Sequence, residues 1–349
     1  MNEKFIQEDL KYILHENIKW ESFEGKTILI TGANGLLAYY LVRTLLYLND
    51  NLFKTKCKVL ALCRNMAKAN DKFGVYFDRN DFDLLIQDVC QEIKYENNIH
   101  FIIHAASQAS PKYYGSDPVG TINANVLGTN NILKLSYEKK VESVLFFSSS
   151  EVYGEVNNYM NTIKETDFGY LNPTVIRSCY AESKRLGETM CVAWNEQYGV
   201  PVKIVRPFHT YGPGIIRDDG RVFSDFIYNI IDGKNIIMKS DGTAKRAFCH
   251  ISDATRGFFT VLLNGENGEA YNVGNSHAEV SIQELAVILI GLFPERKLKI
   301  IKDYTQKNSG YIRSTISRIC PNLEKIKEIG WEPKISIEKG FKQTILSYN

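Results

Sequence analysis

Tyr180 and Lys184 are the two residues whose types and spacing most directly suggest chemistry. They lie four residues apart in the segment CYAESKRLGETM, which has a helical pattern, so both side chains are predicted to share one helix face. A nearby ammonium lowers the pKa of a phenol, which would make the tyrosinate accessible near neutral pH. Such a tyrosine can exchange a proton with a hydroxyl group while a redox cofactor exchanges hydride with the same carbon. Because the pair by itself is a common pattern, its meaning depends on the elements around it.

A glycine-containing turn follows the first apolar run of the chain. The run TILIT (27–31) continues into TGANGLLA (31–38), where a helical pattern begins. Gly32 permits the tight turn, and Gly35 lets the backbone approach a pyrophosphate, whose charge the helix N-terminus favours. Between a strand and a helix, this pattern predicts a dinucleotide site. The predicted cofactor contacts in this turn are Gly32, Asn34, Gly35 and Leu36.

The residues after the next two apolar runs bear on the choice of dinucleotide. Many NAD enzymes have an acid after the second strand, which holds the ribose 2′-hydroxyl, whereas this chain has Arg64. Arg64 could neutralise a 2′-phosphate, which favours NADP, or it could be a solvated arginine at a strand end. Asp88 is placed to accept a hydrogen bond from the adenine amino group, although a turn aspartate is almost as reasonable. The predicted cofactor is therefore NAD or NADP.

Short apolar runs alternate with helical segments from residue 27 onward. The predicted buried strands are TILIT (27–31), KVLALC (58–63), IHFIIHA (99–105), VLFFSSS (144–150) and VKIVRP (202–207). The predicted helices between them are 36–48, 117–138 and 177–198. Strands that alternate with helices form βαβ units, so the predicted fold class is α/β, a doubly wound parallel sheet of the Rossmann type.

Three regions are predicted along the chain. Residues 1–26 form an N-terminal extension, in which apolar residues at helical spacing over 3–18 predict an amphipathic helix that packs on the domain or on a partner subunit. Residues 27–205 form the dinucleotide-binding domain. After residue 205 the alternation loosens, so 206–349 is predicted to be mostly a smaller α/β substrate domain, and a return of this part to the sheet is left open.

Composition excludes several function classes. The 42 basic and 40 acidic residues give a net charge of +2, which does not suggest nucleic-acid binding. Seven cysteines without a C-x-x-C pair predict neither a disulfide framework nor structural zinc, and they favour the cytoplasm. The histidines and carboxylates show no metal spacing, so no metal is expected. The N-terminus resembles no signal peptide and no apolar run reaches about 18 residues, so no membrane association is expected.

The motifs taken together make the chain similar to a known family. It resembles the extended short-chain dehydrogenase/reductase family that modifies nucleotide-activated sugars. The matching motifs are TGANGLLA, HAAS (104–107), NVLGT (125–129), SSSEVYG (148–154), YAESK (180–184), RPFHTYGPG (206–214) and RAFCHISD (246–253). They cover nearly all of the chain beyond residue 26.

The resemblance implies roles for several residues and a partner. Ala105, in the HAAS motif, would contact the cofactor. The serine that assists the tyrosine would be Ser149, with Ser150 a less direct candidate that contacts substrate. The C-terminal part would hold a nucleotide sugar. Family dimers pair two long helices from each subunit, here 117–138 and 177–198, so a homodimer is expected.

Within this family the long segments look most like UDP-glucuronate decarboxylases. Those segments are HAASQASPKYY, SSSEVYG, CYAESKRLGETM and DDGRVFSDFI. Glu151 is the informative residue, because related 4-epimerases usually lack an acid there while dehydratases and decarboxylases have one. A carboxylate can act as a base or an orienting group for chemistry at C5 beside a transient C4 ketone. Dehydratases place an aspartate where this chain has Ser150, so dehydration is less expected.

The predicted substrate contacts leave alternatives open. Arg221 and Arg246 would hold pyrophosphate or nucleotide through charge-assisted hydrogen bonds, and Arg318 would pair with the substrate carboxylate. His209 stands where the family usually has asparagine, in the part that contacts substrate. The alternatives to a decarboxylase are an NADPH-dependent reductase of a nucleotide-linked keto-sugar, which Arg64 favours, and a nucleotide-sugar 4-epimerase. A role in polysaccharide biosynthesis is a family-level expectation.

Overall fold

The computed structural model describes residues 2–15, 18–156, 161–303 and 316–348. The helices are α1 Glu3–Leu14, α2 Leu36–Asn51, α3 Met66–Phe73, α4 Pro111–Ser116, α5 Pro118–Lys139, α6 Ser178–Tyr198, α7 Val222–Ile231, α8 Ile251–Asn264, α9 Ile282–Gly291, α10 Glu324–Glu328 and α11 Ile337–Leu346. The strands are β1 Thr27–Thr31, β2 Lys58–Cys63, β3 Phe82–Ile86, β4 Phe101–His104, β5 Ser143–Phe147, β6 Val202–Pro207, β7 His209–Tyr211, β8 Ile236–Met238, β9 Lys245–His250, β10 Ala270–Val273, β11 Glu279–Ser281, β12 Ile300–Lys302 and β13 Arg318–Ile319.

A parallel sheet of seven strands forms the larger part of the protein. Its strand order is β10-β6-β5-β4-β1-β2-β3, and every neighbouring pair is parallel. Helices α1, α2 and α8 share a hydrophobic core with one face of the sheet, while α5 and α6 pack on the other. Both faces are covered, which explains why the strands read as continuous apolar runs. The predicted α/β fold class with a doubly wound sheet is confirmed.

The predicted strands agree with β1, β2 and β6 in full, but β4 and β5 are shorter than predicted. The predicted run 144–150 extends past β5, because the chain turns there into a short 3₁₀ helix, Ser150–Tyr153. Ser149 caps that helix, since its hydroxyl accepts a hydrogen bond from the amide of Glu151 at 3.2 Å. The polar end of the apolar run is thus a turn at the carboxyl edge of the sheet, where ligands of such folds bind.

A second layer of structure comes from the C-terminal half of the chain. Strands β11, β9 and β13 form a small sheet, to which β7 pairs through β9, and β12 pairs with β8. Helices α7, α9 and α11 share a hydrophobic core with these strands. Two elements of the 206–349 region, α8 and β10, lie instead with the large sheet. The domain boundaries themselves stay a prediction.

The N-terminal helix packs on its own chain. Ile6, Leu10 and Ile13 of α1 are buried in the same core as α2 and α8. Asp9 accepts hydrogen bonds from Tyr40 of α2 and from Gln343 of α11, both at 2.8 Å. The helix ends at Leu14, before the predicted end at 18, and residues 16 and 17 lie outside the described part. It therefore joins the first helix of the large sheet to the last helix of the chain.

Candidate active site

The turn after β1 has the geometry of a dinucleotide cradle. Gly32 has a φ of +64°, and a Cβ there would lie 2.7 Å from the Cα of Ala106, so a larger residue would be strained and would clash. Gly35 precedes the first turn of α2 and offers no side-chain cap to its amides. A Cβ at Gly35 would lie 3.2 Å from the Gly32 carbonyl oxygen. The turn thus exposes a helix N-terminus, which favours an anionic group.

Buried polar contacts hold the HAAS segment against this turn. The Thr31 hydroxyl accepts a hydrogen bond from the amide of Ala106 at 3.1 Å and bonds the His104 ring at 2.8 Å. Ala105 lies between these two residues, on the side of the turn. Burial lowers the pKa of His104 to about 3, so its ring is neutral. The predicted contacts Asn34 and Leu36 are half-buried, and Gly35 is exposed.

Two buried polar groups at the same edge of the sheet as the turn suit a dinucleotide. The buried hydroxyls of Ser107 and Ser148 have no hydrogen-bond partner among the described residues. Ser107 belongs to the HAAS segment, and Ser148 follows β5 at the same edge of the sheet. Such groups can bind the polar atoms of a dinucleotide. The residues present therefore fit NAD or NADP.

Arg64 and Asp88 lie together at the ends of β2 and β3. The guanidinium of Arg64 is 3.8 Å from the Asp88 carboxylate, and the Arg64 side chain is 64% exposed. Asp88 also accepts a hydrogen bond from the amide of Cys90 at 2.9 Å. Both residues lie at the edge of the sheet that carries the glycine turn, and a preference for NADP through Arg64 stays a prediction.

The tyrosine and lysine of the YAESK motif are buried on α6. Lys184 donates a hydrogen bond through Nζ to the carbonyl oxygen of Phe147 at 2.6 Å. The side chain of Ser149 is close enough to Tyr180 to lower the pKa of its phenol. Asn125 of α5 donates to the Ser183 hydroxyl at 2.9 Å, which fixes α6 against its neighbour. The structure therefore brings Tyr180, Lys184 and Ser149 together.

The electrostatics of Tyr180 differ from the sequence-based expectation. Burial raises its pKa to about 12. The Ser149 side chain and the charges of Arg221 and Arg177 act in the opposite direction and lower the pKa. Lys184 does not bring the pKa near neutrality, because its Nζ is directed to a backbone carbonyl and lies 6.0 Å from the ring centroid. Burial also lowers the pKa of Lys184 to about 7.

Glu151 is held by a residue that sequence reasoning missed. Arg177 donates to both carboxylate oxygens of Glu151, at 2.9 and 3.0 Å. Its guanidinium also lies 4.9 Å from the ring centroid of Tyr114, which in turn stacks on Tyr180 at 5.0 Å. Arg177 is three residues before Tyr180, so its place on the same helical turn was a usable signal, whereas nothing local indicates Tyr114.

Three of the predicted substrate residues, Ser150, Arg221 and His209, lie in or around the part of the site that contains Tyr180. Ser150 is buried at the start of the 3₁₀ helix, and Arg221 is close enough to Tyr180 to lower its pKa. His209 has a lowered pKa through burial and through the charges of Arg246 and Arg221, and its Nδ1 has no hydrogen-bond partner among the described residues.

Arg246 and Arg318 make contacts within the protein. Arg246 donates to the carbonyl oxygens of Ile316 and Lys245, at 2.7 and 2.8 Å. Arg318 forms an ion pair with Glu279 at 2.7 and 2.8 Å. Its predicted pairing with a substrate carboxylate stays a prediction. The described residues contain no group of three or more histidine, cysteine or acidic residues placed to hold a metal, and within the same ranges no helix has the length and hydropathy to span a membrane.

The parallel sheet with its glycine turn after β1 is the fold of a dinucleotide-binding protein. The chain belongs to the NAD dependent epimerase/dehydratase family, which it matches over residues 28–274. The resemblance expected from its motifs is thereby confirmed, and NAD is the cofactor of this family. The protein is an NAD-dependent enzyme that modifies a nucleotide-activated sugar.

Several relatives and solved structures are similar to this chain. It is 33% identical to UDP-glucuronic acid decarboxylase 6 of Arabidopsis thaliana over 320 residues, covering 90% of this chain and 86% of the relative. It is 32% identical to UDP-glucuronic acid decarboxylase 1 of Xenopus tropicalis, covering 92% and 72%. The structure of Pal from Bacillus thuringiensis matches with a TM-score of 0.78 at 26% identity, covering 92% and 98%. The fold is also that of dTDP-glucose 4,6-dehydratase from Bacillus anthracis, with a TM-score of 0.75, 21% identity and coverage of 93% and 96%.

Proposed function

We propose that this enzyme decarboxylates a UDP-glucuronate-like nucleotide sugar through a C4-keto intermediate. The observation that carries the proposal is the carboxylate of Glu151, held beside Tyr180 by Arg177. The curated relatives, at about one-third identity over most of the chain, are UDP-glucuronic acid decarboxylases. Gly32 and Gly35 of the turn after β1 would hold the pyrophosphate of NAD, which when bound would supply the hydride acceptor and donor for C4 of the sugar.

The residues of the site fit the proton transfers of this reaction. Tyr180 takes the proton of the C4 hydroxyl, and the nearby Ser149 side chain, which lowers the pKa of Tyr180, assists it. The resulting C4 ketone accepts the electron pair of the C5–C6 bond, so that the substrate carboxylate leaves as carbon dioxide. A proton is then delivered to C5, and reduction at C4 completes the cycle. Glu151 acts mainly after the first hydride transfer, as an acid–base or orienting group near C5.

The remaining predicted residues would bind the nucleotide sugar. Arg221 lies near both Tyr180 and His209, and Arg221 and His209 would contact the sugar or the diphosphate. Arg246 would contact the diphosphate or nucleotide, and Ser150 would contact the sugar. Arg318 would pair with the substrate carboxylate, which requires that it leave Glu279.

Glu151→Gln tests the proposed reaction. The variant should still reduce the bound cofactor on mixing with UDP-glucuronate, because Tyr180 and Ser149 are intact. It should then stall, with the 340-nm absorbance persisting and turnover reduced about 10²–10⁴-fold. Single-turnover absorbance and product mass are the measurements. Glu155→Gln, which changes an exposed glutamate four residues later, is the matched control and should behave as the wild type.

A net reductase of a nucleotide-linked keto-sugar is the second candidate, favoured by the exposed Arg64 after β2. That enzyme would consume free NADPH in stoichiometric amounts and release no carbon dioxide. Its product would be two hydrogens heavier than its substrate, and Glu151→Gln would lose at most part of the rate. Such a result with the wild type over a panel of keto-sugars would reject decarboxylation. A 4-epimerase would instead return a product of unchanged mass.

We also propose that the protein is a cytoplasmic homodimer. All seven cysteines lie in the described part and are free thiols, as a reducing compartment favours. Exposed apolar side chains on α5 and α6 support pairing of these helices with a second copy.

A further inference from the structure

Arg177 lies at the start of α6 and contacts two different parts of the site. Its guanidinium shares one nitrogen between both oxygens of Glu151, and its side chain is only 18% exposed. The same guanidinium lies over the ring of Tyr114, 4.9 Å from the centroid. Charge-assisted contacts of this kind, shielded from water, restrict both partners.

Tyr114 connects this arginine to the catalytic tyrosine. The rings of Tyr114 and Tyr180 are stacked, with centroids 5.0 Å apart and an interplanar angle of 16°. The Tyr114 hydroxyl donates to the carbonyl oxygen of Ala109 at 3.0 Å, which holds the Tyr114 ring nearly parallel to the ring of Tyr180. Arg177, Tyr114 and Tyr180 therefore form a continuous stack whose outer end is bound to Glu151.

We propose that Arg177 and Tyr114 are positioning residues for the reaction: Arg177 holds the Glu151 carboxylate, and both hold Tyr180 in the orientation that proton transfer requires. Arg177 acts through Glu151 and Tyr114 and need not touch the substrate. The inference rests on the proposed function only in taking Tyr180 and Glu151 as the acid–base groups.

Arg177 is one of the charged groups that set the pKa of Tyr180, so its removal should have a measurable effect on that pKa. Ser149, Glu151, Arg221 and Arg177 all act on the Tyr180 hydroxyl, and Tyr114 and Lys184 flank its ring. The Glu151 carboxylate raises the pKa of Tyr180, whereas Arg177 and Arg221 lower it. Removing Arg177 would leave the Glu151 charge uncompensated and raise the pKa of Tyr180. Removing Glu151 as well would return that pKa toward its original value.

The pH dependence of cofactor reduction tests this effect. Reduction of bound NAD by substrate requires Tyr180 as a base, so its rate rises with pH at all values below the Tyr180 pKa of about 12. We expect Arg177→Gln to displace this rising limb to higher pH by about one unit, which makes reduction about tenfold slower at each pH. Glu151→Gln should move it to lower pH, and the double variant should lie near the wild type. Arg177→Lys, which keeps the charge, should recover most of the shift.

A matched control separates this effect from simple destabilisation. Arg79 forms an equally close ion pair with Asp50 and Asp81, beside β3 at the opposite edge of the sheet. Arg79→Gln should lower stability without displacing the rising limb of the pH–rate profile. If Arg177→Gln does not displace that limb, or if the double variant keeps the displacement of Arg177→Gln, the positioning role is wrong.

A second measurement does not depend on turnover. In the NAD-bound protein labelled with ¹³Cζ-tyrosine, Tyr114→Phe and Tyr180→Phe assign the two resonances. Arg177→Gln should shift both, because the stack loses its outer contact, and Arg79→Gln should shift neither. Unchanged resonances would overturn the inference. If wild-type protein does not reduce its cofactor with UDP-glucuronate, the proposed substrate fails while this measurement still decides the role of Arg177.

Discussion

Burial moves the pKa values of Tyr180 and Lys184 in opposite directions. Burial raises the pKa of Tyr180 to about 12 and lowers the pKa of Lys184 to about 7, because a low-dielectric surrounding disfavours both charged forms. At neutral pH the phenol is therefore protonated and the lysine is near its midpoint. Proton abstraction by Tyr180 depends on the cations that face it, which in this structure are Arg221 and Arg177.

The side chain of Arg64 gives a prediction about the choice between NADP and NAD. One charge-assisted contact contributes about 1.5–3 kcal/mol, so a guanidinium that binds the 2′-phosphate is worth roughly tenfold or more in affinity. We expect Arg64→Ala to weaken NADP binding by that factor and to leave NAD binding almost unchanged. Calorimetry with both dinucleotides measures this. Lys94→Ala, at another exposed cation beyond β3, is the control, and equal losses for both cofactors would show that Arg64 does not read the 2′ position.

At the scale of elements, α5 and α6 each have a buried side and an apolar exposed side. Their inner residues share a core with the large sheet. The exposed apolar residues are Val119, Ile122, Leu127 and Tyr137 on α5, and Leu186, Val192 and Tyr198 on α6. A cluster of this kind on two adjacent helices is typical of a surface that is covered in an assembly. Compared with the predicted 117–138 and 177–198, α5 begins and ends one residue later and α6 begins one residue later.

Leu186→Arg tests this surface. The side chain is 47% exposed in the single chain, and a charge there would be desolvated if the helices pair with a second copy. We expect the dimer dissociation constant to rise at least about tenfold, measured by light scattering after size-exclusion chromatography. Ile301→Arg, at a similarly exposed apolar residue of β12, should leave the assembly unchanged. A wild-type protein that is monomeric at all concentrations would contradict the homodimer.

At the scale of the whole molecule, buried neutral histidines link stability to pH. Burial lowers the pKa values of His104, His209 and His250. The unfolded chain binds protons on these rings from about pH 6.5 downward. The folded chain binds a proton on His104 only near pH 3. Stability is therefore lost as the pH falls from about 6.5 toward 3, because the unfolded state binds more protons.

His104→Gln should weaken this dependence. The ring bonds Thr31 at 2.8 Å and Thr129 at 3.2 Å, and the amide offers a donor and an acceptor in their place. Between pH 6.5 and pH 5 the variant should lose about 1.6 kcal/mol less of its free energy of unfolding than the wild type. Urea unfolding at several pH values measures the slope, which is independent of any constant loss of stability. Parallel slopes would show that His104 does not carry the effect.

The sequence by itself determined the features that depend on neighbouring residues. The strand–turn–helix around Gly32 and Gly35 follows from one apolar run, two glycines and a helical pattern within a dozen residues. The joint position of Tyr180 and Lys184 follows from the helical repeat. The alternation of strands and helices predicted the parallel sheet, because strands buried on both faces read as short continuous apolar runs.

Only the tertiary structure decided which distant residues meet and how deeply they are buried. Arg177 reaches Glu151 across 26 residues, and Tyr114 stacks on Tyr180 although nothing local links them. The ion pair of Arg318 with Glu279 and the raised pKa of Tyr180 were equally hidden. Such contacts depend on which strands pair and which helix faces pack. Burial then shifts the pKa of each ionisable group. The burial of a group depends on the atoms that surround it in space and not on its neighbours in sequence.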